Sequence, residues 1–393
     1  MSYGTRGSRV VPSPGRLSVR AGLLMLAGAT VTCVSAAAAA PAPPPVNARA
    51  YILVNPAAEE VLAERAADRR LPMASTTKMM TALVALKYAK LGDTVVVPRA
   101  AAAPGGSSSG LVPGERVRVQ TLLTGLMIGS GNDASITLAV YVGKGSEQRF
   151  VRLMNTEASA MGLTNTHFAN PHGLDARGHY STVRDLVVLG QRTLEQPFLR
   201  STVSRRVATI PGPNGRGTRR LQSENDLLSI DPEADGIKTG HTNGAGYSLV
   251  THARRKSNGV ELYAAIIGSP SRAQRARDAK RLLDWGLRQY VRAVPLRTDQ
   301  VVVSVPVRDR PGVTAPLSVD RDLAVTIKTG HTLTRTIVAP AELVGPVAAG
   351  SVVGEVRVSD GSREVGVRKL IVTQAVDGPS VAERIRSGFG RLV

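Results

Sequence analysis

Cysteine is almost absent from this 393-residue chain, whose only one is Cys33 near the N-terminus. Cleavage near Ala40 would leave a chain with no cysteine at all. Such a chain can reside in an oxidising compartment without any disulfide, so its stability must come from packing. Apolar residues make up 42% of the sequence, which is ample for the cores of about two or three domains.

Aromatic residues are also scarce, at 3% of the sequence, although the formal net charge is +20. Basic surfaces bind phosphate, but the sequence has no glycine-rich phosphate loop after a strand. We therefore expect no nucleic-acid partner. An anionic cell-wall polymer or a membrane surface fits the charge better, and a generally arginine-rich composition is the simplest explanation.

Long apolar runs are missing after Ala40, but the first 40 residues contain one. Several arginines precede an apolar run, Ala21–Ala40, that ends in consecutive alanines. This pattern predicts a secretory signal peptide, and hence an exported protein in the periplasm or at the outer face of the cytoplasmic membrane. An uncleaved membrane anchor is the alternative, because the run is nearly long enough to span a bilayer.

Changes in composition divide the remaining chain. Short valine-rich alternating runs separated by turns such as Asp360-Gly361 predict a small all-β domain. Near the C-terminus, Val381, Ile385 and Phe389 form one helical stripe that fits a membrane interface or a docking site on the protein. The predicted segments are 1–40 signal peptide, 41–48 Pro/Ala linker, 49–293 first domain, 294–377 β domain and 378–393 amphipathic C-terminal helix.

The first domain mixes helices and strands, so its predicted class is α+β. The sequence Ser257-Asn258-Gly259 predicts a hairpin between two apolar runs. The predicted strands are Ala50–Val54, Glu60–Arg65, Leu111–Val119, Tyr247–Ala253 and Val260–Ile267. The predicted helices are Thr76–Lys90, Thr121–Ile128, Ala134–Val142, Phe150–Met161, Ser181–Leu194 and Arg272–Tyr290.

Ser75 and Lys78 stand at the start of the first of these helices. Residues three apart lie on one helical face, so the lysine amine can reach the serine hydroxyl. A lysine acts as a base only when it is neutral part of the time, which burial and a second nearby cation both favour. The alternative is a serine N-cap followed by a solvated lysine.

A second motif, Ser130-Gly131-Asn132, lies between two predicted helices. A hydroxyl and a carboxamide on a rigid loop suit a proton relay and a hydrogen bond to substrate. The alternative is an ordinary helix-to-helix loop in which Ser130 or Asn132 caps the second helix.

A third motif is Lys238-Thr239-Gly240-His241, which lies on a segment predicted to be extended. A cation and a hydroxyl there could hold a carboxylate, and Gly240 would let a substrate backbone lie against the strand. The hexapeptide Ile237–Thr242 recurs at Ile327–Thr332, and we interpret this second copy as a coincidence of strand composition.

Three histidines, His167, His172 and His179, fall within the turn-rich segment Asn165–Tyr180. Their spacing does not match that of metal ligands on a helix, and no cysteine or tight carboxylate pattern accompanies them. We expect no metal site and no cofactor.

Taken together in this order, the three motifs resemble the signature of the penicillin-binding protein and serine β-lactamase superfamily. Within it, the chain resembles the D-alanyl-D-alanine carboxypeptidases of the low-molecular-mass penicillin-binding proteins, over about Ala48–Asp377. The resemblance implies a β-lactamase/transpeptidase-like domain, a five-stranded antiparallel sheet with helices on both faces, followed by the small all-β domain. It also implies peptidoglycan stem peptides ending in D-Ala-D-Ala as substrates and β-lactam antibiotics as ligands.

The resemblance assigns a role to each motif residue. Ser75 would be the acylated nucleophile, Lys78 its base, and Ser130 the relay that passes a proton to the leaving D-alanine. Asn132 would bind the substrate amide. Lys238, Thr239 and Arg275 would bind the terminal carboxylate of the substrate. The backbone N–H groups of Ser75 and His241 would form the oxyanion hole.

Related activities are alternatives. A class A β-lactamase would carry a Glu-x-x-Leu-Asn segment between the second and third motifs, and this chain has none. A D,D-endopeptidase usually lacks the second domain. A non-catalytic cell-wall-binding protein would keep the fold with vestigial motifs, but all the motif residues are intact here.

Overall fold

The computed structural model describes residues 41–102, 105–308, 310–378 and 380–383. They form two units. The first comprises the described residues up to Arg292 together with Thr326–Gly330, and the second comprises the remaining described residues from Ala293 onward. The predicted signal peptide, Cys33 and most of the predicted C-terminal helix lie outside the described residues.

The helices, in chain order, are α1 (Lys78–Tyr88), α2 (Val119–Met127), α3 (Asn132–Val142), α4 (Glu147–Ala160), α5 (Val183–Leu194), α6 (Pro197–Val203), α7 (Leu227–Ile230) and α8 (Arg272–Arg288). Within the described ranges, no helix combines the length and the apolar character needed to cross a bilayer.

The strands, in chain order, are β1 (Ala50–Asn55), β2 (Glu60–Arg65), β3 (Thr94–Val96), β4 (Arg116–Arg118), β5 (Val207–Pro211), β6 (Thr218–Gln222), β7 (Lys238–Thr242), β8 (Gly246–Arg254), β9 (Glu261–Ser269), β10 (Tyr290–Leu296), β11 (Val303–Pro306), β12 (Thr314–Val319), β13 (Leu323–Lys328), β14 (Leu333–Val338), β15 (Val352–Asp360) and β16 (Arg363–Val372).

The main sheet of the first unit has five antiparallel strands in the order β2-β1-β9-β8-β7. Successive residues of a strand point to opposite faces. In β9, Ala265 and Ile267 therefore join a core with residues of α1 to α5, whereas Ala264 and Ile266 join a second core with α8. The predicted five-stranded sheet with helices on both faces is confirmed.

Helix α1 lies inside the larger core, in contact with α2, α3, α4 and α5. Every residue from Lys78 to Ala85 is buried. A helix that is apolar around most of its circumference is typically buried in a core. Consequently Lys78, at the first position of this helix, is forced into the interior together with its amine.

Several boundaries differ from those predicted from sequence. Helix α3 begins at Asn132 rather than Ala134, so Asn132 lies in its first turn and not in the preceding loop. The strand predicted over Leu111–Val119 is limited to β4, because Val119 already begins α2.

The hairpin of β5 and β6 was not predicted from the sequence. Strand β6 carries Arg219 and Arg220, and the residues of the hairpin that pack inward, against Ile128, are Ala208, Ile210 and Leu221. The short helix α6 was also missed.

The second unit contains a five-stranded sheet in the order β11-β12-β16-β15-β14. Its core consists of alternating strand residues such as Leu317, Val356, Val358 and Leu370. The predicted all-β character is confirmed, and the Asp360-Gly361 turn joins β15 to β16. Strand β12, with Pro316 in its middle, was missed.

Candidate active site

Ser75 lies in a 3-10 turn, Ala74–Thr77, that leads directly into α1. The turn begins with Ala74 in the left-handed region, at φ +51°. Ser75 itself is half-buried, whereas Thr76 and Thr77 are fully buried. The fold therefore presents the Ser75 side chain at the edge of the interior, and the residues around it are packed.

The amine of Lys78 has three oxygen neighbours. Its Nζ lies 2.8 Å from Ser75 Oγ, 2.7 Å from Asn132 Oδ1 and 2.7 Å from the carbonyl oxygen of His172. The amide and carbonyl oxygens can only accept hydrogen bonds, so a neutral amine must use both its N–H groups on them. Its lone pair is then left for the Ser75 hydroxyl.

Burial holds the pKa of Lys78 well below the usual lysine value, and the charge of Lys238 lowers it further. Asp133 and Glu224 act in the opposite direction but do not reverse the shift. The two conditions that the sequence demanded of a lysine base, burial and a second cation, are thus both present.

Lys238 and Ser130 form the next pair. The Lys238 amine donates to Ser130 Oγ at 3.0 Å and to the Thr239 carbonyl at 3.0 Å. Burial lowers the pKa of Lys238 to about 8, helped by the charge of Arg275 and opposed by Glu224. Ser130 has φ +55° and is buried. The first residue of edge strand β7 is thereby joined to the loop before α3.

Strand β7 passes very close to the Ser75 turn. A Cβ on Gly240 would lie 2.8 Å from the Ser75 nitrogen and 2.9 Å from Ala74 Cβ, closer than packed atoms approach. Only glycine permits this approach. Thr239 is buried beside it, and the exposed His241 ring stacks on Tyr247 with ring centroids 4.1 Å apart.

Arg275 reaches the site region from α8. Its guanidinium donates to the carbonyls of Ser248 and Glu224 at 3.3 and 2.8 Å, and it is 2% exposed. Burial lowers the pKa of Arg275 to about 10. Its charge acts on Lys238, which places the two cations in one neighbourhood.

Asn132 has both ends of its side chain engaged, since Nδ2 donates to the Gly105 carbonyl at 2.7 Å while Oδ1 faces Lys78. A substrate amide would therefore compete with one of these partners. The contacts described above link six of the predicted site residues: Ser75, Lys78, Ser130, Asn132, Lys238 and Gly240.

Sequence reasoning missed three contributors. The His172 carbonyl gives no signal, because any residue supplies a carbonyl. Asp133 follows Asn132 and accepts from the backbone N–H groups of Ser109 and Leu111 at 2.9 and 3.0 Å. His179 Nε2 lies 2.8 Å from Oγ1 of Thr77, the last residue of the turn that carries Ser75. Asp133 directly follows the Ser130-Gly131-Asn132 motif, and this position is the sequence signal by which it could have been found.

The second copy of the hexapeptide has different surroundings. The Lys328 amine pairs with the Glu60 carboxylate, and the His331 ring contacts Asp360. Neither partner is a serine. The contacts of the second copy therefore differ from those of Lys238.

A family model described as D-alanyl-D-alanine carboxypeptidase matches residues 36–271, and one described as penicillin-binding protein 5, C-terminal domain, matches residues 293–378. The D-alanyl-D-alanine carboxypeptidase DacA of Escherichia coli (strain K12) is 36% identical over 346 residues, or 84% of each chain.

Two solved structures resemble the chain. Penicillin binding protein 5 from Haemophilus influenzae has a TM-score of 0.61 at 28% identity and covers 86% of this chain and 99% of that one. The Streptomyces K15 DD-transpeptidase has a TM-score of 0.59 at 32% identity and covers 63% of this chain and 99% of that one.

Substitution of Asp133 tests how the segment that contains Ser109 and Leu111 is held in place. Asp133→Ala leaves the buried N–H groups of Ser109 and Leu111 without their acceptor. We expect the free energy of unfolding to fall by about 2–6 kcal/mol, since each orphaned buried donor costs about 1–3 kcal/mol. Hydrogen exchange at both amides should accelerate. Denaturant unfolding and exchange mass spectrometry measure these effects.

Asp68→Ala is the matched control, because Asp68 is an exposed carboxylate paired with Arg184. Its removal should cost less than about 1 kcal/mol. Equal losses for the two variants, or unchanged exchange at Ser109 and Leu111, would contradict the role of Asp133.

Proposed function

Because the chain belongs to the D-alanyl-D-alanine carboxypeptidase family of low-molecular-mass penicillin-binding proteins, we propose that it removes the terminal D-alanine from peptidoglycan stem peptides through an acyl-enzyme on Ser75. The observation that carries this proposal is the buried Lys78 amine, 2.8 Å from Ser75 Oγ, with its two other neighbours restricted to accepting. That arrangement favours the lysine as a base toward the serine.

Acylation starts with transfer of the Ser75 hydroxyl proton to Lys78 Nζ while Oγ attacks the carbonyl carbon of the penultimate D-alanine. The oxyanion of the tetrahedral intermediate lies between the backbone N–H groups of Ser75 and His241. Collapse breaks the peptide C–N bond. The leaving amine takes its proton from Ser130, and the proton that Lys78 accepted replaces it on Ser130, which leaves Lys78 neutral.

Deacylation uses water in place of the leaving amine. Lys78, neutral again, takes a proton from the water, and the resulting hydroxide attacks the ester carbonyl. The bond to Ser75 Oγ breaks, Lys78 returns the proton to Oγ, and the shortened stem peptide leaves. A penicillin is attacked in the same way, but opening of its β-lactam ring keeps the leaving nitrogen attached to the acyl group.

Substrate orientation is the task of β7 and its neighbours. The protonated Lys238 amine, with Thr239 and Arg275, attracts the terminal carboxylate, and Gly240 leaves room for the substrate backbone. Asn132 holds the substrate amide. Low local dielectric strengthens each of these interactions, because Lys238 and Arg275 are buried.

We also propose that the protein acts outside the cytoplasm, in the periplasm or on the outer face of the cytoplasmic membrane. The arginine-flanked apolar run at 21–40 supports export, and peptidoglycan is an extracytoplasmic polymer. Contact of residues 378–393 with a membrane surface stays a prediction from their helical stripe.

Penicillin acylation tests the nucleophile and its base. After incubation with a penicillin, the intact mass of the wild-type protein should rise by one antibiotic molecule, and Ser75→Ala should show no adduct. Lys78→Met should acylate about 10²–10⁴-fold more slowly, the usual contribution of a general base. Stopped-flow or quench-flow mass spectrometry gives the rates.

The repeated hexapeptide supplies the control for the third motif. Lys238→Gln should slow acylation, because it removes the cation beside Ser130, whereas Lys328→Gln should match the wild type. An adduct on Ser75→Ala, or equal slowing by the two glutamine variants, would contradict the assignment.

The pH profile tests the two lysines together. Lys238 is cationic below its pKa of about 8 and neutral above it, so kcat/KM for a peptide ending in D-Ala-D-Ala should fall as the pH rises through about 8. On the acid side kcat/KM should rise as Lys78 loses its proton, well below the usual lysine range. Steady-state kinetics across pH measure both limbs.

The control substrate is the same peptide with its terminal carboxylate replaced by an amide. Its kcat/KM should fall less as the pH rises through about 8, because the amide carries no charge for Lys238 to attract. An alkaline limb near the ordinary lysine value of 10.5 would contradict the lowered pKa of Lys238.

A further inference from the structure

The neutral ring of His179 connects two buried parts of the first unit. The backbone N–H of Ala169 donates to His179 Nδ1 at 3.0 Å, and His179 Nε2 lies 2.8 Å from Thr77 Oγ1. Thr77 Oγ1 in turn donates to the carbonyl of Ala74 at 2.8 Å. His179 is 4% exposed and Thr77 is fully buried.

These contacts fix the direction of every hydrogen bond in the series. Because Nδ1 accepts from Ala169, the ring proton resides on Nε2 and is donated to Thr77 Oγ1. The single hydroxyl hydrogen of Thr77 then has one acceptor left, the Ala74 carbonyl. Burial lowers the pKa of His179 to about 4, which keeps the ring neutral at physiological pH.

The Ala74 carbonyl belongs to the same planar peptide unit as the N–H of Ser75. In a trans peptide the oxygen and the hydrogen point in opposite directions, so fixing one aims the other. Ala74 also has φ +51°, a left-handed conformation that costs about 1–2 kcal/mol for a residue with a side chain. This peptide therefore needs external contacts to stay in its observed orientation.

We propose that His179 is a positioning residue that acts through Thr77 to fix the Ala74–Ser75 peptide plane and so aim the Ser75 N–H at the oxyanion. The inference rests on the proposed acyl-enzyme at Ser75. Gly173 packs directly against the same peptide unit, because a Cβ there would lie 2.1 Å from the Ala74 oxygen. The segment that carries His172 and His179 thus contacts the Ser75 turn at two points.

A different role for His179 would be to hold its own segment through the bond from Ala169. Two substitutions separate the roles. In His179→Gln, the amide nitrogen falls near the Nε2 position and keeps a donor for Thr77, but the acceptor for Ala169 is lost. In His179→Asn, the amide oxygen falls near Nδ1 and keeps that acceptor, but the donor for Thr77 is lost.

The experiment measures penicillin acylation of the full chain, separating the dissociation constant of the initial complex from the acylation rate constant. Misaiming one oxyanion donor should lower the rate constant of His179→Asn by about 10- to 10²-fold, since complete loss of such a donor costs about 10²–10³-fold. The dissociation constant should change little. His179→Gln should acylate faster than His179→Asn.

Thr77 supplies the second half of the test. Thr77→Val should be slow and Thr77→Ser should recover the rate, because serine restores the hydroxyl. In a double-mutant cycle, His179→Asn should add little to Thr77→Val, because both break the same series of hydrogen bonds. Melting temperatures identify any variant that does not fold, in which case the Thr77 pair decides.

The possible results point in separate directions. A His179→Asn rate constant equal to that of the wild type, or His179→Asn faster than His179→Gln, would overturn the positioning role and leave the acyl-enzyme intact. Additive effects in the double-mutant cycle would overturn it also. A wild-type protein that forms no adduct would contradict the proposed function and this inference with it.

Discussion

The buried amine of Lys78 is the constraint on which the rest of the site depends. A charged amine in the interior is stabilised best by a carboxylate, but the neighbours of the Lys78 amine are an amide oxygen, a carbonyl oxygen and a hydroxyl. Desolvation and the cation of Lys238 therefore favour the neutral form. The same burial that makes α1 a core helix also favours the neutral amine that the proposed base for Ser75 must have.

Four separate parts of the first unit must meet for this arrangement to exist. Helix α1 supplies Lys78, the first turn of α3 supplies Asn132, the loop before α5 supplies the His172 carbonyl, and β7 brings Lys238 to Ser130. Close backbone approach is what allows them to converge. Gly240 lets β7 lie against the Ser75 nitrogen. Asp133 holds the segment Ser109–Leu111 by accepting hydrogen bonds from its backbone N–H groups.

The sequence predicted the α+β architecture, the all-β second unit and the motif residues, because helical and strand periodicity and the turn Ser257–Gly259 are local signals. It did not predict the β5–β6 hairpin, whose inward residues are few. The His172 carbonyl and the His179 contacts could not be read from residue types at all, since they depend on how a turn-rich segment folds back onto α1. Lys78 was recognised as a possible base, but its partners Asn132 Oδ1 and His172 O emerged only in three dimensions.

Release of D-alanine is the most direct test of the account. A peptide ending in Lys-D-Ala-D-Ala should lose one D-alanine per turnover to the protein that starts at Asn47, and the Ser75→Ala variant should release none above the uncatalysed background. That result would establish the carboxypeptidase and its nucleophile together. A folded wild-type protein that releases no more D-alanine than Ser75→Ala would contradict the central claim.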